Sequence, residues 1–512
     1  MDTKALRQKV LDLAIRGKLV PQDTNDEPAS VLLERIRQQK QQMVKDGKLK
    51  AKDIKNDTII FVGEDNLHYE KFADGGVKCI EDEIPFELPD GWAWARFSTI
   101  TINRDSERKP ISSSQRTGVE KIYDYYGASG KIDKIDKYIF CERLLLIGED
   151  GANLVTRSKP IAFFAEGLYW VNNHAHCIDS PDKLLLEYLC FYINAISLEK
   201  YVTGSAQPKM TQDNMNSILI PLPPYNEQKR LSQHLDEIMA MVDRIEIGKI
   251  ESIELISKAK SKILDLAIRG QLVPQDPDDE PASVLLERIR AEKEELIKQG
   301  KLKRDKKESV IFRGEDNSYY EKMADGKLHC LDDQLTFELP DGWEWCNLSM
   351  IGTTNIGLTY RPTDIEPGGI MVLRSCNIVN DQFDLSDLVR VKTTVRENQF
   401  AQKNDILICA RNGSRSLVGK CALIPDLGEP ASFGAFMAIY RTEYFEFIVH
   451  YLRSSFFRSV FDDSNSTAIN QLTQDMLKRA IVPLPPLSEQ RRIVEAIDAM
   501  LFELNQIEKS LS

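Results

Sequence analysis

Three kinds of short motif in this 512-residue chain could do chemistry, and two of them fail on their own residues. "LPPY" at 222–225 has the Pro-Pro-aromatic core of a loop that amino-methyltransferases use to hold a substrate amine. That chemistry needs a hydrogen-bond acceptor at the first position. Leu222 cannot accept, and the second copy of the motif is "LPPL" at 484–487. "GSRSLVGKC" from Gly413 has the look of a phosphate-binding loop, but its spacing is one residue too long and Cys421 stands where a metal-binding Ser or Thr is required. The third kind consists of polar loops that could read base edges, since Arg, Asn, Ser, Lys, His and Tyr side chains offer donors and acceptors that match them. In the first half these are Tyr126, Ser129 and Lys131, then Asn172, Asn173 and His174. In the second they are Arg374 and Asn377, then Arg411, Asn412, Ser414 and Arg415. The same residue types also build ordinary turns, so composition alone leaves both readings open.

No GxGxxG stands between a strand and a helix, and no serine or cysteine triad is visible. The acid pairs after Gly63, Gly148 and Gly314 read as turn residues. Nine cysteines are scattered without a CxxC pair, and of the six histidines only His174 and His176 are close neighbours. That pattern argues for reduced thiols and against a zinc or disulfide framework.

The loops sit inside a repeat. "LDLAIRGKLVPQDTNDEPASVLLERIR" at 11–37 returns as "LDLAIRGQLVPQDPDDEPASVLLERIR" at 264–290. "FELPDGWAW" at 86–94 returns at 337–345, and "PLPPYNEQKRL" at 221–231 returns at 483–493. Between these words, blocks 95–220 and 346–482 look unrelated in detail. Both nevertheless alternate short apolar runs with Gly-rich turns before a helical segment, which is an α+β pattern. The offset is 253 at the start, 251 in the middle and 262 at the end, so the chain reads as a two-unit ring opened inside a shared element. The expected architecture is a pseudo-two-fold circular repeat. Its segments are 1–94 (helix, amphipathic helix and linker), 95–220, 221–345 (long helix and duplicated linker), 346–482, and 483–512 (C-terminal helix).

The element at the cut reads as a coiled-coil helix. Leu231, Leu235, Ile238, Val242 and Ile245 are spaced 4, 3, 4, 3, and Ile493, Ile497, Met500, Leu504, Ile507 and Leu511 keep the same rhythm. Pro223-Pro224 and Pro485-Pro486 mark the helix starts, and Gly270 marks the end of the central one. The central helix and a second one, assembled from the two chain ends, are expected to pack antiparallel and hold two globular blocks apart. A half-chain is expected to dimerise, with the C-terminal seam of each copy meeting the N-terminal helix of the other. The lysine-rich stretch 298–307 reads as a solvated linker.

The net charge is −12, but 95–220 holds 15 basic and 15 acidic residues and 346–482 holds 14 of each, so the acidity lies outside both blocks. No apolar run approaches a membrane span, and "MDTKALRQKV" has no signal-peptide core; both point to the cytoplasm and away from a membrane.

Taken together, "PLPPLSEQRRIVEAID", "ILDLAIRGQLVPQ" and "PASVLLERIRAEK" resemble the constant regions of the specificity subunits of type I restriction–modification enzymes. "YYGASGKID", "IGEDGANL" and "WVNNHAHC" resemble one class of target recognition domain, and "GSRSLVGK" with "SFGAF" another. The resemblance implies a non-catalytic chain that binds double-stranded DNA. Each recognition domain would read half of a bipartite asymmetric site. Two modification subunits would bring S-adenosylmethionine and methylate adenine, and restriction subunits would bring ATP and Mg for translocation and cleavage, leaving this chain without a cofactor of its own. Two rival readings remain. A self-contained DNA methyltransferase or nuclease fusion would bind S-adenosylmethionine alone, and a coiled-coil scaffold without a DNA role would bind no duplex.

Overall fold

The helix that follows the first proline pair runs Tyr225–Ile268, 44 residues, and its counterpart near the C-terminus runs Leu487–Leu511. These belong to a computed structural model that describes residues 2–511 apart from 118–119, 205–206, 301–303, 305–307 and 463–470. Most of the expected lysine-rich linker 298–307 therefore lies outside the described residues. The chain divides into two units, Met1–Gly248 and Lys249–Ser512, each a mixture of helix and sheet, and the division falls inside the long helix.

Each unit closes the repeat on itself. In the first, helix Thr3–Ile15 lies antiparallel to the start of the long helix. Arg7 pairs with Asp243 and, at 3.1 Å, Glu246, while Gln22 reaches Glu227 at 2.9 Å. In the second, Lys260 pairs with Glu508 at 2.5 Å and Gln275 reaches Glu489 at 3.1 Å. In the full chain the N-terminal helix thus covers the seam of its own half. Leu231, Leu235, Val242, Ile493 and Ile497 are buried, and Ile238, Leu504 and Leu511 are half-buried. Ile245, Met500 and Ile507 depart from the expected seam, being 40%, 43% and 50% exposed. One neighbouring helix covers a narrow stripe, and 3.6-residue turns carry a strict 3.5-residue repeat off it; Leu501, not Met500, packs into the core.

The repeated words are explained by one contact cluster. Helix Thr3–Ile15 ends in a Schellman-type turn, with Gly17 at φ +64° and Lys18 N–H donating to the Leu13 carbonyl at 2.8 Å. A side chain at Gly17 would collide with Pro89 at 2.5 Å and Trp92 at 2.9 Å. The Gln22 amide donates to the Gly17 carbonyl at 2.7 Å and to Glu227, and the Trp92 indole N–H donates to Glu227 at 3.0 Å. Gly270, Pro340, Trp343, Gln275 and Glu489 repeat every one of these relations. "AIRG…VPQ", "LPDGW" and "LPPxxEQ" are therefore three parts of one packing unit. Leu222 ends a buried strand and Tyr225 opens a helix, so "LPPY" is a helix start here.

The variable blocks hang from a two-stranded ribbon. Ala93–Arg96 pairs antiparallel with Leu219–Leu222, and Glu344–Asn347 with Ile481–Leu484. The residues where the two halves begin and cease to differ, Ala95 with Ile220 and Cys346 with Val482, are register partners. Inside the first ribbon a four-stranded sheet has the order Ile102–Asn103, Ala175–Asp179, Leu144–Gly148, Ala162–Ala165. Inside the second, the same order is Thr353–Ile356, Met437–Arg441, Ile406–Cys409, Cys421–Leu423. Each block adds a second sheet around a parallel pair, Tyr169–Val171 with Tyr123–Gly127 and Ala431–Phe433 with Ile365–Leu373. A helix then ties each block back to its ribbon: Tyr192 donates to the Leu219 carbonyl and Tyr451 to the Ile481 carbonyl, both at 2.8 Å.

The segment read as a linker is partly sheet. Ile59–Val62, His68–Lys71 and Val77–Cys79 form a three-stranded sheet, repeated by Ser309–Arg313, Tyr319–Met323 and Leu328–Cys330. Asn66 and Asn317 take positive φ at the first turn of each. Arg96 joins this sheet to the ribbon. It donates to Glu70 at 2.7 and 3.1 Å, to Glu83 at 2.8 Å and to the Ser217 carbonyl at 2.8 Å, and both Arg96 and Glu70 are buried. In the second unit Asn347 does this with Ser309 at 2.8 Å and Glu321 at 2.9 Å.

Two predictions follow from these pairs. Arg96→Met leaves the Glu70 carboxylate buried without its partner and should cost about 3–5 kcal/mol, whereas Arg96→Met with Glu70→Leu should recover most of it. Chemical denaturation of both variants checks this. The second concerns Asp26, whose carboxylate takes a hydrogen bond from Arg230 at 2.6 Å; that bond holds it below the usual carboxylate range against the effect of burial. A depressed folded value means that the contribution is complete above the ordinary carboxylate range and is lost as pH falls through the folded value. The stability gap between the parent and Asp26→Asn should therefore be open at pH 6 and narrow towards pH 3; a gap that stays constant contradicts the assignment.

Candidate nucleic-acid interface

Three loops of the first block meet at one end of its sheets. They are the hairpin turn between Tyr123–Gly127 and Gly130–Ile135, the loop after Leu144–Gly148, and the turn between Tyr169–Val171 and Ala175–Asp179. Backbone bonds lock them together: Asn172 N–H donates to the Tyr126 carbonyl at 3.1 Å and Glu149 N–H to the His174 carbonyl at 2.9 Å. A side chain at Gly148 would strike the Ala128 carbonyl at 2.7 Å, so the close approach of two of these loops requires glycine there.

The six residues singled out in this block behave differently from one another. Tyr126 is half-buried, its ring against Phe163 and Tyr169 at 6.2 and 5.6 Å between centroids, and burial pushes its phenol up. Asn172 is buried, and its side-chain oxygen accepts from His174 N–H at 2.8 Å. Lys131 is paired with Asp124 at 2.5 Å, and Ser129 lies half-buried in the turn. Asn173 and His174 are exposed, and His174 Nδ1 lies 2.8 Å from Asp150. The structure thus presents Asn173, His174 and the Lys131 ammonium outward and uses Tyr126 and Asn172 to hold them.

Beneath the loops is a polar network that residue types alone do not reveal. His176 is buried, with Nδ1 2.6 Å from Asp105 and Nε2 3.0 Å from the Met210 carbonyl. Arg108 donates to Glu149 at 2.7 Å, and Lys209 pairs with Glu149 at 3.1 Å. Burial pushes both carboxyls up, but His176 and Arg108 at Asp105, and Arg108, His176 and Lys209 at Glu149, hold them below the usual range. The "GED" at 148–150 departs from the expected turn: Gly148 ends a strand and Asp150 bridges to Lys209, while Glu149 is the hub of this network. Among the described residues no three His, Cys, Asp or Glu side chains gather in a way that could hold a metal ion.

The second block places Arg374, Arg411 and Asn412 in the lining of a cavity of about 1010 Å³, which also includes Tyr360, Asp387 and Phe436. Arg374 pairs with Asp387 at 2.7 Å, and the Arg411 guanidinium sits 5.5 Å from the Phe436 ring centroid. Asn412 accepts from Ser414 N–H at 3.0 Å, and the Ser414 hydroxyl lies 2.8 Å from that of Ser416. Ser414 and Arg415 are exposed beyond the cavity lining. Asn377 departs from its expected role as a reader. It is fully buried, accepts from Arg374 N–H at 2.8 Å and donates to the Asp384 and Asp387 carbonyls at 2.8 and 2.9 Å. All its polar atoms are engaged in shaping the loop that carries Arg374.

A repeated frame with two unlike loop ends defines a class of protein in which a constant body carries exchangeable contact surfaces. Residues 100–255 and 340–512, more than half of the chain, match the family described as type I restriction modification DNA specificity domain, and the chain belongs to that family. It is 28% identical to the type I restriction enzyme EcoAI specificity subunit of Escherichia coli, over 98% of this chain and 90% of that one. It is 27% identical to the EcoEI specificity subunit of the same species, over 99% and 90%. The fold is shared with a solved chain from work on complex assembly and conformational transition of a type I R-M system, at a TM-score of 0.50, 17% identity, and coverage of 83% of this chain and 94% of that one. Among the described residues no helix is long and apolar enough to cross a membrane.

The different settings of Asn377 and Arg411 predict different outcomes. Asn377→Ala removes a buried amide that bonds three backbone groups and should cost about 2–3 kcal/mol. Arg411→Ala removes an exposed side chain and should stay within about 0.5 kcal/mol of the parent. Thermal melting of the two variants separates a loop-shaping residue from a surface one, and equal losses contradict the distinction.

Proposed function

We propose that this chain is the DNA-reading subunit of a type I restriction–modification complex. The first recognition domain, 95–220, reads one half of a bipartite asymmetric site, and the second, 346–482, reads the other. The observation that carries this is the combination of one packing frame built twice around Glu227 and Glu489 with loop ends that differ at matched positions, Asp150 and His174 in one and Arg411 and Phe436 in the other. A scaffold kept constant suits two docking events with the same partner, and divergent ends suit two unrelated short sequences. Base contacts come from Lys131, Asn173 and His174 in the first domain and Arg374, Arg411, Asn412, Ser414 and Arg415 in the second.

The chain performs no catalysis in this reading. Two modification subunits supply S-adenosylmethionine chemistry at adenine, and restriction subunits supply ATP- and Mg-dependent translocation and cleavage. The antiparallel helices serve as a coiled-coil spacer between the readers, and the complex works in the cytoplasm. The fused-enzyme alternative is disfavoured by the curated relatives, which are named as specificity subunits along nearly their whole length.

The test is a block exchange at the ribbon. Replacing 95–220 with the corresponding block of another family member should change one half-site in the methylated sequence and leave the other intact. A change in both half-sites, or in neither, contradicts two independent readers.

A further inference from the structure

The two recognition ends share a register that their sequences hide. Gly148 is the strand partner of Ala175, and Cys409 of Met437. One residue outside each pair, His174 and Phe436 occupy the same turn position. The carbonyl of each accepts the next strand's N–H at 2.9 Å, from Glu149 in one unit and Ala410 in the other. Glu149 and Ala410 in turn accept from Met210 at 2.8 Å and Leu472 at 2.7 Å, the residues just before "TQD" at 211–213 and again at 473–475. Asp150 and Arg411 follow, and they bridge to Lys209 and Gln471 respectively. His174 beside Asp150 is therefore the counterpart of Phe436 beside Arg411.

Both positions show the same physical arrangement with different chemistry. Each carries an outward side chain that is steadied on one side by the residue across the strand and open on the other. His174 has Nδ1 engaged by Asp150, while its Nε2 has no partner among the described residues. Phe436 is 61% exposed with Arg411 over one face of the ring, at the rim of the cavity that also holds Arg374. With a guanidinium over one face and the other face open, this ring is held ready for a flat partner. A base offers such a surface, through a thymine methyl or its stacking face, next to phosphates for the guanidinium.

We propose that this turn position is the specificity-determining contact of each recognition domain: His174 hydrogen-bonds a base edge of the first half-site, and Phe436, backed by Arg411, makes apolar contact with a base of the second. The proposal rests on the DNA-reading function argued above and adds Phe436 as a reader and the mode of contact at both positions.

The test uses the full chain assembled with its modification subunits and a panel of duplexes carrying every single base-pair change across both half-sites, with kcat/KM for methyl transfer as the readout. For Phe436→Ala, discrimination should fall by about tenfold or more at one or two adjacent positions of the second half-site, the loss expected for one base contact, with the first half-site unaffected. Phe436→Trp should keep discrimination at those positions. His174→Ala and His174→Gln should act only on the first half-site. Melting temperatures should not move, because both side chains are exposed. Unchanged discrimination in the Phe436→Ala and His174→Ala complexes overturns this inference alone, as does an effect on the half-site read by the other unit. A parent complex that discriminates at neither half-site overturns the proposed function itself.

Discussion

A buried carboxylate at the start of each long helix is the constraint on which the rest of the structure depends. Glu227 and Glu489 are almost wholly out of water, and burial pushes both carboxyls up. Each accepts from a tryptophan indole and a glutamine amide. An acid placed there without those donors would be strongly unfavourable, so helix start, tryptophan turn and post-helix loop must arrive together. The tryptophan then fixes the ribbon strand that follows it, and the ribbon fixes where the recognition block leaves and returns. Glycine at 17 and 270 completes the arrangement, because no side chain fits between the helix end and the Pro-Trp wall.

Such a frame leaves the far end of each block free to vary. The sheets keep their order and register while the loops exchange an Asp–His pair for an Arg–Phe pair. Three of the cations at those ends are already matched with acids, Lys131 with Asp124, Lys209 with Glu149 and Arg374 with Asp387. A phosphate therefore competes with an internal carboxylate as well as with water. That pairing reconciles a chain of net charge −12 with a DNA partner: attraction is local, and discrimination comes from shaped loops more than from a broad basic face.

Much of this was legible in the residues. The repeated words are visible because they form one packing cluster that tolerates little change, and the block limits at Ala95 and Ile220 are visible because they are opposite strands of one ribbon. Other features were not legible. The three-stranded sheets escape notice because their strands are only three to five residues long and mostly exposed, without a clear alternation. Asn377 has the residue type of a reader, but residue type does not say which way a side chain points, and here it points inward. Phe436 lies in "SFGAFMAIY", one of the short apolar runs of its block; only the register shared with His174 marks it as an outward turn residue. The Asp105–Arg108–His176–Glu149 network draws on residues more than 70 positions apart and leaves no local signal.

The central claim is that one scaffold, built twice, holds two independent readers. Sequencing methylated bases in the genome of a host that carries this chain with its modification subunits tests it most directly. The account predicts one methylated motif made of two short, unrelated half-sites separated by unspecified bases, lost when this chain is deleted. A contiguous motif, an interrupted palindrome, or methylation that persists without the chain would contradict it.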